Sequence, residues 1–216
     1  MDYKQIVAHY EECYAEYGDT PKGVDWTKEE QVDLRYQTML EIANFREKNF
    51  ELSETRSFLD FGCGLSHLYE YIAKNNLKYV DYYGLELSEK FYNESKKKFP
   101  ENEYIIGDIL KDSKLLKRKY DYIVMNGVFT EKRDMPYHEM FQYFSKMIEA
   151  IYPICERGVA FNVMSKQVDW ELKHLFHVPL DQMANFLTKN ITRDFVIRND
   201  YGLYEYTVYL YKFRDQ

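Results

Sequence analysis

Cysteine is scarce in this chain. Its 216 residues hold three, Cys13, Cys63 and Cys155, an odd number with neither a pairing framework nor metal-ligand spacing. A disulfide-stapled secreted domain is therefore not expected, and the protein reads as cytoplasmic and reduced. No apolar run approaches the ~20 residues a bilayer span requires. Met1-Asp2-Tyr3-Lys4-Gln5 lacks the basic region and apolar stretch of a secretory signal. Positive charge is also short: 29 Lys and Arg against 36 Asp and Glu leave a net charge of −7, which argues against a nucleic-acid partner. Internal repeats and low-complexity linkers are missing too. What is present is an ordinary globular balance, 45% apolar and 30% charged, enough for one core. The 22 tyrosines fall largely in strand-like runs, where aromatics are favoured.

The most informative stretch is Ser57-Phe58-Leu59-Asp60-Phe61-Gly62-Cys63-Gly64-Leu65-Ser66-His67. It reads as a buried strand, an acid, a tight glycine turn and the start of a helix. Such a turn presents bare backbone N–H groups to a ligand that approaches closely because glycine has no side chain. Two more carboxylates close strand-like runs downstream, Glu86 after Tyr82-Tyr83-Gly84-Leu85 and Asp108 after Glu103-Tyr104-Ile105-Ile106-Gly107. Acids at the ends of three consecutive strands point to a nucleoside held along the carboxyl edge of a parallel sheet. A dinucleotide fingerprint fits poorly: His67 stands where G-x-G-x-x-G needs its third glycine, and Asp60 would repel a pyrophosphate. A carboxylate at Asp60 suits a positively charged ligand, such as the ammonium of a methionine moiety.

The rest of the chain gives the organisation. Ile6, Val7, Tyr10, Tyr14 and Tyr17 set a helical period over 3–17, ended by Gly18. After a loop with Pro21, Gly23 and Trp26, Thr27-x-x-Glu30 is a capping-box pattern and a helix over 28–48 is expected. Strands are expected at 57–62, 82–87, 103–108, 120–126 and 158–165, alternating with helices. Two more, 194–200 and 204–212, are joined through Tyr201-Gly202-Leu203 as an antiparallel hairpin. Lys96-Lys97-Lys98 is either a basic patch or the solvated end of the helix that starts after Ser88, where cations complement the dipole.

Asp60-x-Gly62-x-Gly64, Glu86, Asp108 and Tyr120-Asp121-Tyr122-Ile123-Val124-Met125-Asn126 together resemble motifs I to IV of class I S-adenosylmethionine-dependent methyltransferases, over roughly 55–212. One departure is Ser66, where the family often has a third glycine. The resemblance implies an α/β, Rossmann-like sheet of seven strands, mostly parallel with a reversed last strand and helices on both faces. A helical N-terminal lid over 1–50 would precede a methyltransferase domain over 51–216. It also implies S-adenosylmethionine as cofactor, leaving S-adenosylhomocysteine. Asp60, Gly62, Cys63 and Gly64 would hold the methionine end. Glu86 would accept from both ribose hydroxyls, Leu87 would pack on the adenine, and Asp108 with Ile109 would take the adenine amino group. Asn126 and Gly127 would sit beside the sulfonium and its methyl.

Gly23-Val24-Asp25-Trp26 followed by Gln31-x-x-x-Arg35-Tyr36 is similar to the lid of small-molecule methyltransferases acting on sugars and related metabolites. Trp26, Arg35 and Tyr36 are thus cofactor-side candidates; Gln31 and Arg35 share one helix face, and Arg35 could meet the cofactor carboxylate with its planar fork. Tyr10 and Tyr14 either cover the site or pack in the core. Glu131 and Asp134 follow the fourth strand without a ligand set, so metal dependence is not expected. For a hydroxyl acceptor a base is needed, and His177, with a side chain suited to proton transfer near neutrality, is the candidate. Asn126 and His177 are the catalytic candidates; His174, His177, Tyr201 and Tyr204 are the substrate candidates. The expected activity is methyl transfer to a hydroxyl or amine of a small polar metabolite, a sugar or a polysaccharide or natural-product precursor. The alternatives are a cofactor-binding protein without catalysis and a nicotinamide-dependent reductase.

Overall fold

The computed structural model describes residues 3–26, 28–46 and 54–212. In chain order these form α1 (Lys4–Tyr17), a 3-10 turn (Pro21–Val24), α2 (Val32–Leu40) between 3-10 turns at Glu29–Gln31 and Glu41–Ala43, β1 (Arg56–Phe61), α3 (His67–Lys74), β2 (Val80–Glu86), α4 (Glu89–Lys98), β3 (Glu103–Ile106), β4 (Tyr120–Phe129), α5 (Tyr137–Ile151), β5 (Cys155–Ser165), β6 (His177–Val178), α6 (Leu180–Asn190), β7 (Phe195–Arg198) and β8 (Glu205–Tyr211). Local chemistry sets the ends. Gly18, at φ +65°, turns back so that its N–H donates to the Tyr14 carbonyl. The Ser88 hydroxyl accepts from the Phe91 N–H and opens α4, and Lys96, Lys97 and Lys98 fill its last turn. Lys98 is paired there with Asp19 and Glu70, so the lysine run is a helix end.

The single helix expected over 28–48 is instead broken. The tight turn after Leu40 swings Ile42 and Ala43 into the interior, where both are buried. Thr27 of the capping-box pattern and residues 47 and 48 lie outside the described residues.

The strands lie in the order β3-β2-β1-β4-β5-β8-β7, with β6 paired to the end of β5. β1 to β5 are mutually parallel, and β8 runs antiparallel to both β5 and β7. The fold is thus the Rossmann-like sheet expected, with its reversed strand, plus the short β6. Because successive strand residues face opposite ways, the same strands supply both cores. Leu59, Ile123, Met125, Phe161 and Val208 pack with α5 and α6 through Phe144, Ile148 and Leu187. Phe58, Tyr122, Val124, Ala160 and Tyr209 pack with α2 and α3 through Met39, Leu40, Leu68 and Ile72. So α2, expected as part of a lid, is a covering helix of the sheet, while α1 lies over the strand ends. No helix among the described residues is long and apolar enough to cross a membrane.

Candidate active site

Strand order reverses at β1: β2 and β3 lie to one side, β4 and β5 to the other. Connections leaving in opposite directions open a crevice at the carboxyl ends of such strands. Here it holds about 1150 Å3 of free space, part of it open to solvent. Asp60, Gly62, Cys63 and Gly64 line it from β1, Glu86 and Leu87 from β2, and Asp108 and Ile109 after β3. Asn126 and Gly127 line it from β4, and Trp26 and Tyr36 from the N-terminal segment. Of the expected cofactor residues, only Arg35 does not reach it.

The turn after β1 needs its glycines. Gly62 sits at φ +74°, and a Cβ there would lie 2.9 Å from Val128 Cγ2. Ser66 adopts φ +60° and is fully buried, its hydroxyl donating to the Tyr104 oxygen at 3.0 Å. Glu86 ties the turn to the next strand: one oxygen accepts the Gly64 N–H at 2.8 Å, the other the amides of Leu87 at 2.7 Å and Ser88 at 2.8 Å. Burial raises its pKa while these three N–H groups oppose the rise. Asp60 is 4% exposed and accepts from the Tyr82 hydroxyl at 2.9 Å. Burial pushes its carboxyl up to about 7; the Tyr82 bond opposes this and the neighbouring Glu86 charge adds to it.

Asp108 accepts from the Tyr3 hydroxyl, the Leu110 N–H at 3.1 Å and the Lys111 ammonium at 3.1 Å. Burial would raise its pKa, but these contacts outweigh it and hold the acid below its usual range. Tyr3, Ile6, Val7 and Tyr10 of α1 all line the cleft, so α1 is its roof. Tyr14 packs elsewhere, edge-on to Phe91 at 5.7 Å.

Between Met125 and Phe129, four steps along β4 match two along β5, so β4 bulges outward by two residues at its end. The bulge carries Asn126 and Gly127. The Oδ1 of Asn126 is buried with no hydrogen-bond partner among the described residues. Gly127, at φ +79°, donates its N–H to Asn162 Oδ1 at 2.8 Å, and a Cβ there would lie 3.1 Å from Trp26 Cζ2. The Arg35 guanidinium stacks over Trp26 at 4.1 Å, and its Nε donates to both Glu205 oxygens, at 3.1 and 2.9 Å. Asn162 Nδ2 donates to the same Glu205 at 3.0 Å. Arg35 therefore braces the Trp26 ring from behind rather than meeting a ligand carboxylate.

The acceptor-side candidates fare differently. His177 is 3% exposed in β6, with Nδ1 2.6 Å from the Ser165 carbonyl, and it does not line the cleft. Pairing along β5 carried it into the sheet, so it is not placed to serve as the base. Tyr201 exchanges a hydrogen bond with Thr207 at 2.9 Å, and exposed Tyr204 donates to Asp169 at 2.6 Å; neither lines the cleft. His174 is half-buried, and its carbonyl accepts the N–H groups of Lys132 at 2.8 Å and Arg133 at 2.9 Å. Burial and the Arg133 charge lower its pKa.

Sequence reading missed one group, at the outer end of the bulge. His9 Nε2 lies 3.1 Å from Asp25 Oδ2, 3.7 Å from Glu131 Oε2, 3.6 Å from Cys13 Sγ and 3.2 Å from the Arg133 guanidinium. Arg133 also donates to Glu131 at 3.2 Å. His9, Cys13 and Asp25 each offer an atom within 4.8 Å of the others. The only local signal was the spacing of His9 and Cys13, which sets them on one face of α1.

Comparison with known proteins agrees with this geometry. Residues 59–150 match the family profile of a methyltransferase domain. A curated Mycobacterium tuberculosis protein named as a methyltransferase, Rv1506c, is 22% identical over 158 residues, 72% of this chain and 93% of that protein. Magnesium protoporphyrin IX methyltransferase (ChlM) from Synechocystis PCC 6803, solved with bound SAM, superposes with a TM-score of 0.63 at 19% identity, covering 98% of each chain. The plantazolicin methyltransferase BpumL in complex with SAH gives 0.66 at 16% identity, covering 98% of this chain and 97% of its own. At these identities the two structures share the fold.

Proposed function

We propose that this S-adenosylmethionine-dependent methyltransferase moves a methyl group to a hydroxyl or amine of a small polar metabolite, a sugar or a polysaccharide or natural-product precursor, beside Asn126 and Gly127. The observation that carries the cofactor reading is the row of acids along one cleft, Asp60, Glu86 and Asp108, at the ends of successive strands. The residues fit the group. Buried Asp60 offers a carboxylate to the cationic methionine end, and Glu86 keeps part of its roughly four lone-pair sites for ribose hydroxyls. Asp108 and Ile109 would take the adenine edge. The unpartnered Oδ1 of Asn126 lies where a positive centre would be welcome. Bound S-adenosylmethionine supplies an electrophilic methyl on a sulfonium. The protein's part is to align an acceptor with it and exclude water, tasks suited to the α1 roof and the braced Trp26.

The acceptor class rests on three supports: a segment over Gly23–Tyr36 similar in sequence to that of sugar-modifying enzymes, a net charge of −7 that disfavours nucleic acid, and similar structures named for a porphyrin and for plantazolicin. Thermal unfolding with S-adenosylhomocysteine, and separately with a nicotinamide dinucleotide, tests the cofactor. At 100 times its dissociation constant a ligand adds about 2.7 kcal/mol, roughly 5–11 °C for a domain of this size. A shift with S-adenosylhomocysteine alone is expected, and it should vanish in Glu86→Ala. A shift with the dinucleotide alone would reject the reading. Turnover on an acceptor panel then separates an enzyme from a binding protein.

A further inference from the structure

With Arg35 drawn behind Trp26, the carboxylate of the cofactor has lost its expected partner. The methionine end carries both an ammonium and a carboxylate, and Asp60 suits only the first. Three acids line the cleft, Asp60, Glu86 and Asp108. Among the described residues no lysine or arginine reaches its wall, and the one basic side chain there is His67, the first residue of α3. His67 follows the glycines of the turn after β1, on the chain that would hold the methionine end. The residue that breaks the dinucleotide fingerprint is thus the one placed to meet an anion.

We infer that His67 holds the carboxylate of the cofactor, its ring oriented by Asp19. This rests on the cofactor reading above. His67 Nε2 lies 2.7 Å from Asp19 Oδ1. The other Asp19 oxygen accepts from the Lys98 ammonium, which also pairs with Glu70. Burial would raise the Asp19 pKa, but its bonds to Lys98 and His67 outweigh this and hold it below its usual range, so it stays an acceptor. Nε2 is therefore the donor on that side, and Nδ1 has no partner among the described residues. With an N–H on each nitrogen, the imidazolium serves Asp19 and a ligand carboxylate at once.

The surroundings of His67 fit that role. Its side chain is 13% exposed, so a charge-assisted bond made there is partly shielded from water and worth more than a surface pair. The helix it opens is uncapped: Ser66 spends its hydroxyl on Tyr104 and gives α3 no side-chain cap. The dipole and the unpaired N–H groups of such a first turn favour an anion beside it. Other donors near the cleft are engaged. The Tyr3 and Tyr10 hydroxyls are bonded to Asp108 and Thr130, and Lys111, outside the cleft wall, pairs with Asp108. Asp60 before the glycines and His67 after them thus carry opposite charges on one turn. Together they select a nucleoside that bears an amino acid over one that bears only an amine.

The test compares two ligands by calorimetry at one pH, S-adenosylhomocysteine and its decarboxylated analogue, which keeps the adenine, ribose, thioether and ammonium. Wild type, His67→Phe and Asp19→Asn are measured, with the melting temperature of each. Wild type should prefer S-adenosylhomocysteine by about tenfold to 150-fold, the worth of one hydrogen bond between charged groups. His67→Phe keeps a ring of similar shape and should lower that preference by about tenfold, with affinity for the analogue unchanged. Asp19→Asn, at the surface and outside the cleft wall, acts through His67 and should lower it by about threefold or more. A wild type without the preference, or a His67→Phe protein that keeps it within about threefold, overturns the inference and leaves the carboxylate to neutral donors. Failure of the cofactor reading looks different: wild type would then bind neither ligand.

Discussion

At the scale of single residues, Asp60 is the group whose charge the fold controls most. It ends β1 in the interior, with one phenolic donor and a second carboxylate nearby. Its value is raised in the folded state, from 3.8 to about 7. The sign follows: folded protein holds the proton more tightly than unfolded chain. This acid's contribution to stability is therefore full below 3.8 and is lost as pH rises to about 7, at ~1.4 kcal/mol per unit. A cationic cofactor prefers the ionised form. Affinity for S-adenosylmethionine should therefore rise with pH by up to tenfold per unit, flattening above about 7. Calorimetry between about pH 5.5 and 8 checks this, with Asp60→Asn expected to bind more weakly and with a flat profile. An equal slope in wild type and variant would refute the assignment. Glu86, with three backbone donors on its carboxylate, has less freedom to respond.

Among the elements, α1 is lightly anchored for its 14 residues. It buries only Ile6 and Cys13, against six residues of α5, and its start is tied down by the Tyr3 hydroxyl on Asp108 and the Tyr3 ring on Tyr143 at 4.8 Å. Tyr3→Phe removes one hydrogen bond, worth about 0.5–1.5 kcal/mol. Amide hydrogen exchange across residues 4–17 of the ligand-free protein should quicken, and S-adenosylhomocysteine should associate faster because Asp108 is released. Unaltered exchange would show that the phenol does not hold the roof.

Elements also differ in how plainly they could be read. The strands at 57–62, 120–126 and 204–212 were legible because apolar runs bounded on one side by a glycine turn, at Gly62, Gly127 and Gly202, have few other structures open to them. The break of the 28–48 helix was not, because it depends on Ile42 and Ala43 meeting a sheet formed much later in the chain. His177 was misread for a related reason: strand pairing to β5 is a tertiary event that a two-residue segment does not announce. The acids that line the cleft, Asp60, Glu86 and Asp108, were legible as a series. The His9, Asp25 and Glu131 group was not, since its members come from three distant segments with no shared period.

On the scale of the whole molecule, one sheet serves two cores, and the cleft borders both, through Tyr143 and Met147 of one and Cys63 and Leu68 of the other. Phe144 lies deeper. It is fully buried between Phe129 at 5.0 Å and Phe161 at 5.3 Å, both edge-on, and does not line the cleft. Phe144→Ala should cost about 3–5 kcal/mol in urea unfolding while the folded fraction keeps its affinity for S-adenosylhomocysteine. A loss below about 1 kcal/mol would mean that α5 is not the main cover of that face.

The bulge in β4 has a further consequence, which is one of parity. A strand buried on both sides alternates strictly, so an odd insertion would exchange its two faces and send Phe129 to the wrong core. The insertion here is even. Met125 and Phe129 therefore face the same way, as do their partners Phe161 and Val163, and all four meet in one cluster. Asn126 and Gly127 are thus supernumerary to the sheet's own arithmetic, and the fold can vary the chemistry displayed there without renegotiating either interior.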